Sequence, residues 1–232
     1  MPHTTTARTA QPAIDVRALS KLHGDVTALF DVTFGVHAGD IALVRGGAGA
    51  GKSTLLRLLA GHTMPSGGRI RIHGTDPRTA RLDAGARVGY VPEGASRGGV
   101  MRPIDLMEFA GRSRALPRRL IDERIQAVSA LCGLRGLLHE RTDRLPRVLR
   151  VRVALAQALV HRPQVLLVDA PLAELTCEEA RDVVSRLWSL RGALTTLVTA
   201  GAHDNVPLAP DRVLMLEQGR LVALLDRLPA AG

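Results

Sequence analysis

The sequence predicts an α/β fold with a mostly parallel core sheet, an antiparallel β subdomain and an inserted helical subdomain. Segments with the apolar–polar alternation of strands dominate the first third of the chain. A short apolar run at residues 41–45 and a nearly continuous one at residues 164–170 indicate core strands, and the second is typical of a strand buried on both faces. From about residue 94 to residue 144 the pattern becomes helical, so strands and helices alternate around an insert.

The N-terminal elements follow from local patterns. Apolar and polar residues alternate in AIDVRAL (13–19) and again in LFDVTFGV (29–36), which predicts two strands. His37 to Asp40 form a turn before the apolar strand IALVR (41–45). The segment TLLRLLAGH (54–62) has helical spacing of its apolar residues.

The later elements continue the alternation. RIRIHG (69–74) and RVGYVP (87–92) are predicted strands, and the helical stretch that follows has breaks at Pro103 and Pro117. The remaining predicted elements are a helix at 148–160, a strand at 164–170, a helix at 177–188, a strand at 195–200 and a hairpin at 213–225 that turns at Gln218 and Gly219.

The length of 232 residues suits one large domain with an inserted subdomain. We expect a disordered tail at residues 1–12, a single domain at 13–232 and a helical subdomain at about 94–146. The N-terminus lacks the apolar core of a secretory signal, and no apolar run approaches the roughly 18 residues that cross a bilayer.

The net charge of +9 comes almost entirely from arginine, because Lys21 and Lys52 are the only lysines. The arginines are scattered, with no block of five or more, and aromatic residues make up only 2% of the chain. Nucleic-acid binding requires clustered charge or stacking platforms, so we expect no nucleic-acid partner.

The two cysteines, Cys132 and Cys177, stand far apart and have no metal-ligand spacing. Isolated thiols without a secretion signal favour a reducing, cytoplasmic environment. Cys132 lies in an apolar stretch and is predicted to be a small core residue.

The chain contains a motif typical of phosphate-binding loops. Residues 46–53 spell G-G-A-G-A-G-K-S, a full match to G-x-x-x-x-G-K-[ST] between a predicted strand and a predicted helix. Glycines let successive N–H groups surround a phosphate, Lys52 supplies an ammonium to the outer phosphates, and the Ser53 hydroxyl can ligate Mg²⁺. The predicted ATP-binding residues are Gly46, Gly47, Ala48, Gly49, Ala50, Gly51, Lys52, Ser53 and Thr54.

A partner acid is expected at the end of another buried strand. Asp169 closes VLLVD and is a candidate to hold Mg²⁺ and its water shell, as a Walker B aspartate does. Many strands end in Asp, so Asp169 is a candidate only because the chain also contains the phosphate-binding loop at residues 46–53.

The chain resembles the ATP-binding subunits of ABC transporters over about residues 13–226. The motifs that carry the resemblance occur in the family's order, as GGAGAGKST, GYVPE, a helical segment, AQALVHRP, VLLVDAP and DRVLMLEQGRLV. The resemblance implies a P-loop NTPase of ABC type with ATP and Mg²⁺ as cofactors. It also implies a second ATPase subunit as partner, in a homo- or heterodimer, and a separate transmembrane permease. Such a chain would be cytoplasmic and peripheral, held on the inner face of the cell membrane through the permease.

The signature loop of the family is degenerate in this chain. In the family, each ATP lies between one subunit's P-loop and the LSGGQ signature of the other subunit. The register of AQALVHRP places that signature at residues 145–149, so Pro146, Arg147 and Val148 replace Ser-Gly-Gly. Proline has no N–H to donate, and Val148 adds a side chain where close approach is needed.

The groups that the family uses for hydrolysis are also replaced. The catalytic glutamate position holds Ala170, which can neither orient nor deprotonate a water molecule. Thr176 stands in place of the aspartate of the following loop. The switch histidine position is Gly201 in an ungapped alignment, and His203 occupies it only after a shift of two residues. The resemblance therefore assigns no catalytic residue in this chain.

Two further positions differ in residue type but can keep their role. Glu93 replaces the glutamine that senses the γ-phosphate and metal, and its carboxylate is a good Mg²⁺ ligand. His23 stands where the family has an aromatic residue that stacks on adenine, and an imidazole can also stack.

These features predict a degenerate ATP-binding subunit of an ABC transporter. It would bind Mg-ATP and couple ATP-dependent dimer closure to a permease, docked through residues near Glu93–Phe109, with weak or absent hydrolysis of its own. One alternative is a soluble nucleotide-binding regulator or assembly scaffold of the same fold without a permease. Another is an active ATPase whose base is a different residue, such as Glu174, although its distance of four residues from Ala170 argues against its reach.

Overall fold

The computed structural model describes residues 11–78, 87–97, 99–204, 206–207 and 209–226, so most of the predicted tail and the last six residues lie outside it. The strands are β1 Ile14–His23, β2 Val26–Val36, β3 Ile41–Arg45, β4 Gly67–Ile72, β5 Val88–Val91, β6 Val165–Val168, β7 Thr195–Ala200, β8 Arg212–Glu217 and β9 Arg220–Asp226. The α-helices are α1 Lys52–Leu59, α2 Pro103–Arg112, α3 Arg118–Leu131, α4 Arg147–Leu159 and α5 Cys177–Ser189.

The core is a six-stranded sheet in the order β5-β6-β7-β3-β8-β9. Neighbouring strands from β5 to β8 run parallel, and only β9 pairs antiparallel to its neighbour. All four residues of β6 are buried, which confirms the strand that the continuous apolar run predicted. The mostly parallel core sheet is thus confirmed.

A second, antiparallel sheet has the order β2-β1-β4. Ile14 pairs with Val36 on one side and with Ile72 on the other. Because apolar residues alternate along these strands, one face of this sheet packs with Leu55 and Leu59 of α1 in a shared core. The predicted antiparallel β subdomain therefore covers the helix that follows the phosphate-binding loop.

Two helices of the helical subdomain begin at the predicted breaks. Pro103 is the first residue of α2 and Pro117 is the N-cap of α3, positions where a missing N–H leaves no helical bond unmade. Cys132 is buried in the core beneath these helices, and burial raises the pKa of its thiol to about 12. Its prediction as a core residue is confirmed.

The predicted hairpin is also present. Glu217 pairs with Arg220, and the two residues between them, Gln218 and Gly219, have φ of 46° and 77°. Such a pair of positive φ values is typical of the type I′ turn that joins two-residue hairpins. Within the residues described, no helix is long and apolar enough to cross a membrane.

Candidate nucleotide-binding site

The loop between β3 and α1 needs glycine at two positions for steric reasons. A Cβ on Gly46 would lie 2.4 Å from the carbonyl oxygen of Leu216. Gly51 has φ of 97°, and a Cβ there would lie 2.5 Å from the carbonyl oxygen of Ala28. The loop is therefore tightly packed against β8 and β2, while Cβ atoms on Gly47 and Gly49 would meet only open space. This side of the loop is open to solvent.

Lys52 is the first residue of α1, and its side chain turns back over the loop. The Nζ atom donates hydrogen bonds to the carbonyl oxygens of Gly46 and Gly47, both at 2.8 Å. Ser53 and Thr54 follow in the first turn of the same helix, where free N–H groups and the positive end of the helix dipole attract an anion. A positive charge, backbone donors and the Ser53 hydroxyl, the predicted Mg²⁺ ligand, thus meet at one end of α1.

An open groove of about 470 Å³ adjoins the loop. Its lining combines Gly47 and Gly49 with Gln218 and Arg220 of the β8–β9 hairpin. The Arg220 guanidinium stacks on the Phe30 ring, 4.1 Å from its centroid. No sequence pattern indicated that the hairpin borders this loop, because the contact joins segments about 170 residues apart.

His23, the predicted adenine-stacking residue, does not line this groove. It is the last residue of β1 and is exposed. Its role therefore stays a prediction.

Asp169 follows β6 and is almost fully buried, with 1% of its surface exposed. Its Oδ1 atom accepts a hydrogen bond of 2.8 Å from the Thr199 hydroxyl, whereas Oδ2 is buried without a hydrogen-bond partner. Burial and then the negative charge of Asp169 raise the pKa of nearby Tyr90. A buried, unpartnered carboxylate oxygen suits a hard cation such as Mg²⁺, so the residues present fit that metal.

Sheet order brings the separate candidates together. Glu93 follows β5, Asp169 follows β6, Gly201 follows β7 and the phosphate-binding loop follows β3, and these are four adjacent parallel strands. Ligands of open α/β sheets bind outside the carboxyl ends of such strands. A small cavity of about 70 Å³ is lined by Glu93, Asp169, Ala170 and Glu174, among others.

Ala170, which the resemblance places at the catalytic glutamate position, has a strained backbone conformation. Ala170 has φ of 45°, and its N–H donates to the Thr199 hydroxyl oxygen at 2.8 Å. The methyl group of Ala170 offers no acceptor or base to the cavity. The next loop ends at Thr176, which caps α5 by accepting a hydrogen bond of 3.3 Å from the N–H of Glu179.

Arg147, in the segment that the resemblance assigns to the signature, contacts Glu174. Pro146 caps α4, and Arg147 opens the helix with its guanidinium directed at the loop after Ala170. Its Nη1 atom donates to the carbonyl oxygen of Glu174 at 2.9 Å and lies 3.2 Å from the carboxylate of the same residue. No local sequence signal links residues 27 positions apart. Glu174 lines the cavity described above, and its carboxylate is paired with Arg147.

The loop after β7 contains Gly201 and His203, the two candidates for the switch position, and is held by internal hydrogen bonds. The N–H of Gly201 donates to the Asp204 carboxylate at 2.6 Å, and a Cβ on Gly201 would lie 2.7 Å from the same carboxylate. Arg45 donates to the carbonyl oxygens of Ala202 at 3.2 Å and Asp204 at 3.1 Å. His203 is exposed, so Asp204 rather than a histidine occupies the space beside position 201.

Comparison with known proteins finds ABC transporter ATP-binding proteins among the similar sequences. The family model described as "ABC transporter" matches residues 29–173. The chain is 36% identical over 220 residues to the aliphatic sulfonates import ATP-binding protein SsuB of Burkholderia ambifaria, covering 94% of this chain and 65% of SsuB. It is 30% identical to the spermidine/putrescine import ATP-binding protein PotA of Bacteroides thetaiotaomicron, covering 90% of this chain and 45% of PotA. The chain thus spans about half to two thirds of the length of these relatives.

A solved structure shares the fold over almost the whole chain. It is cbiO1 from Clostridium perfringens, described as part of the ABC transporter complex cbiONQ, with 25% sequence identity and a TM-score of 0.83. The match covers 94% of this chain and 89% of cbiO1. A dimeric structure of the ATP-binding cassette MJ0796 bound to ADP and Pi, at 20% identity and a TM-score of 0.78, shows the same fold.

Proposed function

Because this chain belongs to the ABC transporter family, we propose that it is an ATP-binding subunit that holds Mg-ATP between the loop at residues 46–54 and Asp169. The observation that supports the proposal is that the loop after β3 and Asp169 after β6 lie at the same carboxyl edge of the core sheet. Lys52 and the glycine-built cradle are adapted to phosphate, and the free Oδ2 of Asp169 is adapted to the metal. When bound, Mg²⁺ would neutralise phosphate charge, with Ser53, Asp169 and Glu93 as the protein's candidate ligands.

Hydrolysis at this chain's own site is proposed to be weak or absent. Ala170 carries no base, and Glu174, the residue weighed above as an alternative base, is engaged by Arg147. The side chain of Glu174 is 66% exposed, so water screens this ion pair and the pairing alone does not exclude the residue. The role of the subunit is then ATP-dependent closure rather than turnover.

A second ATPase subunit and a permease are the proposed partners. Exposed apolar side chains cluster in the segment proposed for permease docking, residues 93–109, where Val100 is 67% and Phe109 is 64% exposed. An adjoining groove of about 270 Å³ is lined by Met101 and Leu106. Apolar surface of this kind supports contact with another protein.

A face-to-face dimer with an intact ATPase would contain two differently impaired sites. The site on this chain's P-loop would receive a good signature from the partner but lacks the glutamate at Ala170. The partner's site would have its own glutamate but would face Pro146, Arg147 and Val148. We therefore propose that a transporter containing this subunit turns over slowly, unless its partner is adapted to an atypical signature.

Titration with a fluorescent ATP analogue, with and without Mg²⁺, tests nucleotide binding. Lys52→Ala should greatly weaken binding, because it removes the ammonium that serves the phosphates. Lys21→Ala is the matched control, since Lys21 is the only other lysine and its Nζ bonds the carbonyl oxygen of Met64 in the β subdomain. Equal, weak binding by wild type and Lys52→Ala would exclude a functional phosphate cradle. Saturation should also stabilise the fold by about 2.7 kcal/mol at a ligand concentration 100 times Kd.

A further inference from the structure

We infer that Thr199 is a positioning residue for the metal of this site, an inference that rests on the proposed binding of Mg-ATP. The residue is on β7, next to β6 in the core sheet, and only 1% of its surface is exposed. Its hydroxyl bonds both Asp169 and the backbone of Ala170, each at 2.8 Å. One side chain thereby holds the metal-binding carboxylate and the residue that follows it.

The directions of these two hydrogen bonds follow from the chemistry of the groups. A backbone N–H can only donate, so the Thr199 oxygen must accept from Ala170. The single hydroxyl proton is then free to be donated to Oδ1 of Asp169. In this arrangement Oδ1 acts as the acceptor.

The consequence for Asp169 is a fixed orientation. With Oδ1 held by Thr199, the plane of the carboxylate is set, and Oδ2 is left buried without a partner. That oxygen is the atom available to a cation or its water shell. Groups that orient a metal-binding carboxylate in this way influence metal affinity even though they do not touch the metal.

The same contact also stabilises the backbone after the strand. Ala170 has φ of 45°, a conformation that a residue with a Cβ rarely adopts. The hydrogen bond from its N–H to Thr199 holds it there. Loss of the hydroxyl would leave this N–H unpaired and would release both the carboxylate and the loop.

β7 supplies a matched control. Thr196 is also fully buried, but its hydroxyl has no hydrogen-bond partner. Valine has nearly the shape of threonine, so Thr199→Val and Thr196→Val remove one buried hydroxyl each from the same strand. Thr199→Ser keeps the hydroxyl and removes only a methyl group. Thr199→Ala tests the same loss of the hydroxyl should the valine variant not fold.

The experiment measures Mn²⁺ affinity of the ATP-bound protein by electron paramagnetic resonance of free Mn²⁺, together with ATP affinity in EDTA. Thr199→Val should weaken Mn²⁺ binding about 10- to 100-fold, the usual effect of removing a group that orients a metal ligand. ATP affinity in EDTA should stay at the wild-type value, because the phosphate cradle is unchanged. Thr196→Val and Thr199→Ser should keep Mn²⁺ affinity close to that of wild type.

Three results would overturn the inference. Wild-type Mn²⁺ affinity in Thr199→Val would show that the hydroxyl does not position Asp169. Equal losses in Thr199→Val and Thr196→Val would assign the effect to packing of the strand. If the ATP affinity of the wild type does not change when metal is added, the proposed metal site is excluded, whereas nucleotide binding is not. By contrast, no ATP binding by the wild type in any condition would contradict the proposed function itself.

Discussion

Protonation of His161 should make the fold sensitive to mild acid. His161 follows α4 and is buried, with its Nε2 atom 3.2 Å from the carbonyl oxygen of Val88 on β5 and its Nδ1 atom buried without a partner. Burial, and next the positive charge of Arg114, lower its pKa from 6.5 to about 4, with a smaller contribution from Arg124. The folded state therefore holds a neutral imidazole that the unfolded chain would protonate in mild acid.

The sign and size of the effect follow from this shift. A lowered pKa in the folded state means that the unfolded chain binds the additional proton, so stability declines as pH falls from 6.5 towards 4. At 1.36 kcal/mol per pKa unit, the full effect of His161 is about 3 kcal/mol, reached below pH 4. About 2 kcal/mol of this is already lost at pH 5. That is a substantial part of the roughly 5–15 kcal/mol that stabilises a typical domain.

Urea unfolding at pH 7 and pH 5 measures the effect. His161→Gln cannot titrate, so its free energy of unfolding should fall by about 2 kcal/mol less than that of wild type between these pH values. The difference between the two proteins cancels the contributions of other titrating groups, including His62 and His73, whose pKa values burial also lowers. His139→Gln, at an exposed position, should behave as wild type. Equal losses in wild type and His161→Gln would refute the assignment of the acid sensitivity to this residue.

Two further predictions concern hydrolysis. The purified chain should hydrolyse ATP very slowly in a steady-state phosphate-release assay, since loss of a general base typically lowers the rate about 10²- to 10⁴-fold. Ala170→Glu alone should not restore hydrolysis. Brisk, Lys52-dependent turnover by the wild type would contradict the prediction. In a reconstituted pair with an intact ATPase subunit, replacing Pro146, Arg147 and Val148 by Ser-Gly-Gly should raise the partner's rate, while Ala170→Glu should leave the partner's site largely unchanged. The repair also removes the Arg147–Glu174 pair, so Glu174→Gln is its control. A large gain from Ala170→Glu with none from the repaired signature would show that the register or the dimer geometry is wrong.

The phosphate-binding loop shows how much local sequence determined. The spacing of Gly46, Gly51 and Lys52 predicted a cradle between a strand and a helix, and the structure places a tight loop there with Lys52 at the start of α1. Chemistry of this kind is encoded within eight consecutive residues, so chain connectivity alone brings its groups together. The same holds for the two-residue turn at Gln218 and Gly219.

The strands and helices were predicted for a similar reason. The period of apolar residues reflects which side of an element is buried, and that period is visible without knowledge of the partner element. The breaks at Pro103 and Pro117 likewise follow from the missing N–H of proline, which is a property of the residue itself.

The tertiary structure alone decided which distant groups meet in the site. Thr199 with Asp169 and Arg147 with Glu174 are contacts that no motif indicated. The first pair depends on β7 lying next to β6, and the second on the first residue of α4 lying beside the loop that follows β6. A sequence records the order of elements along the chain, whereas these contacts depend on how strands and helices are arranged in space, which the packing of the whole core selects.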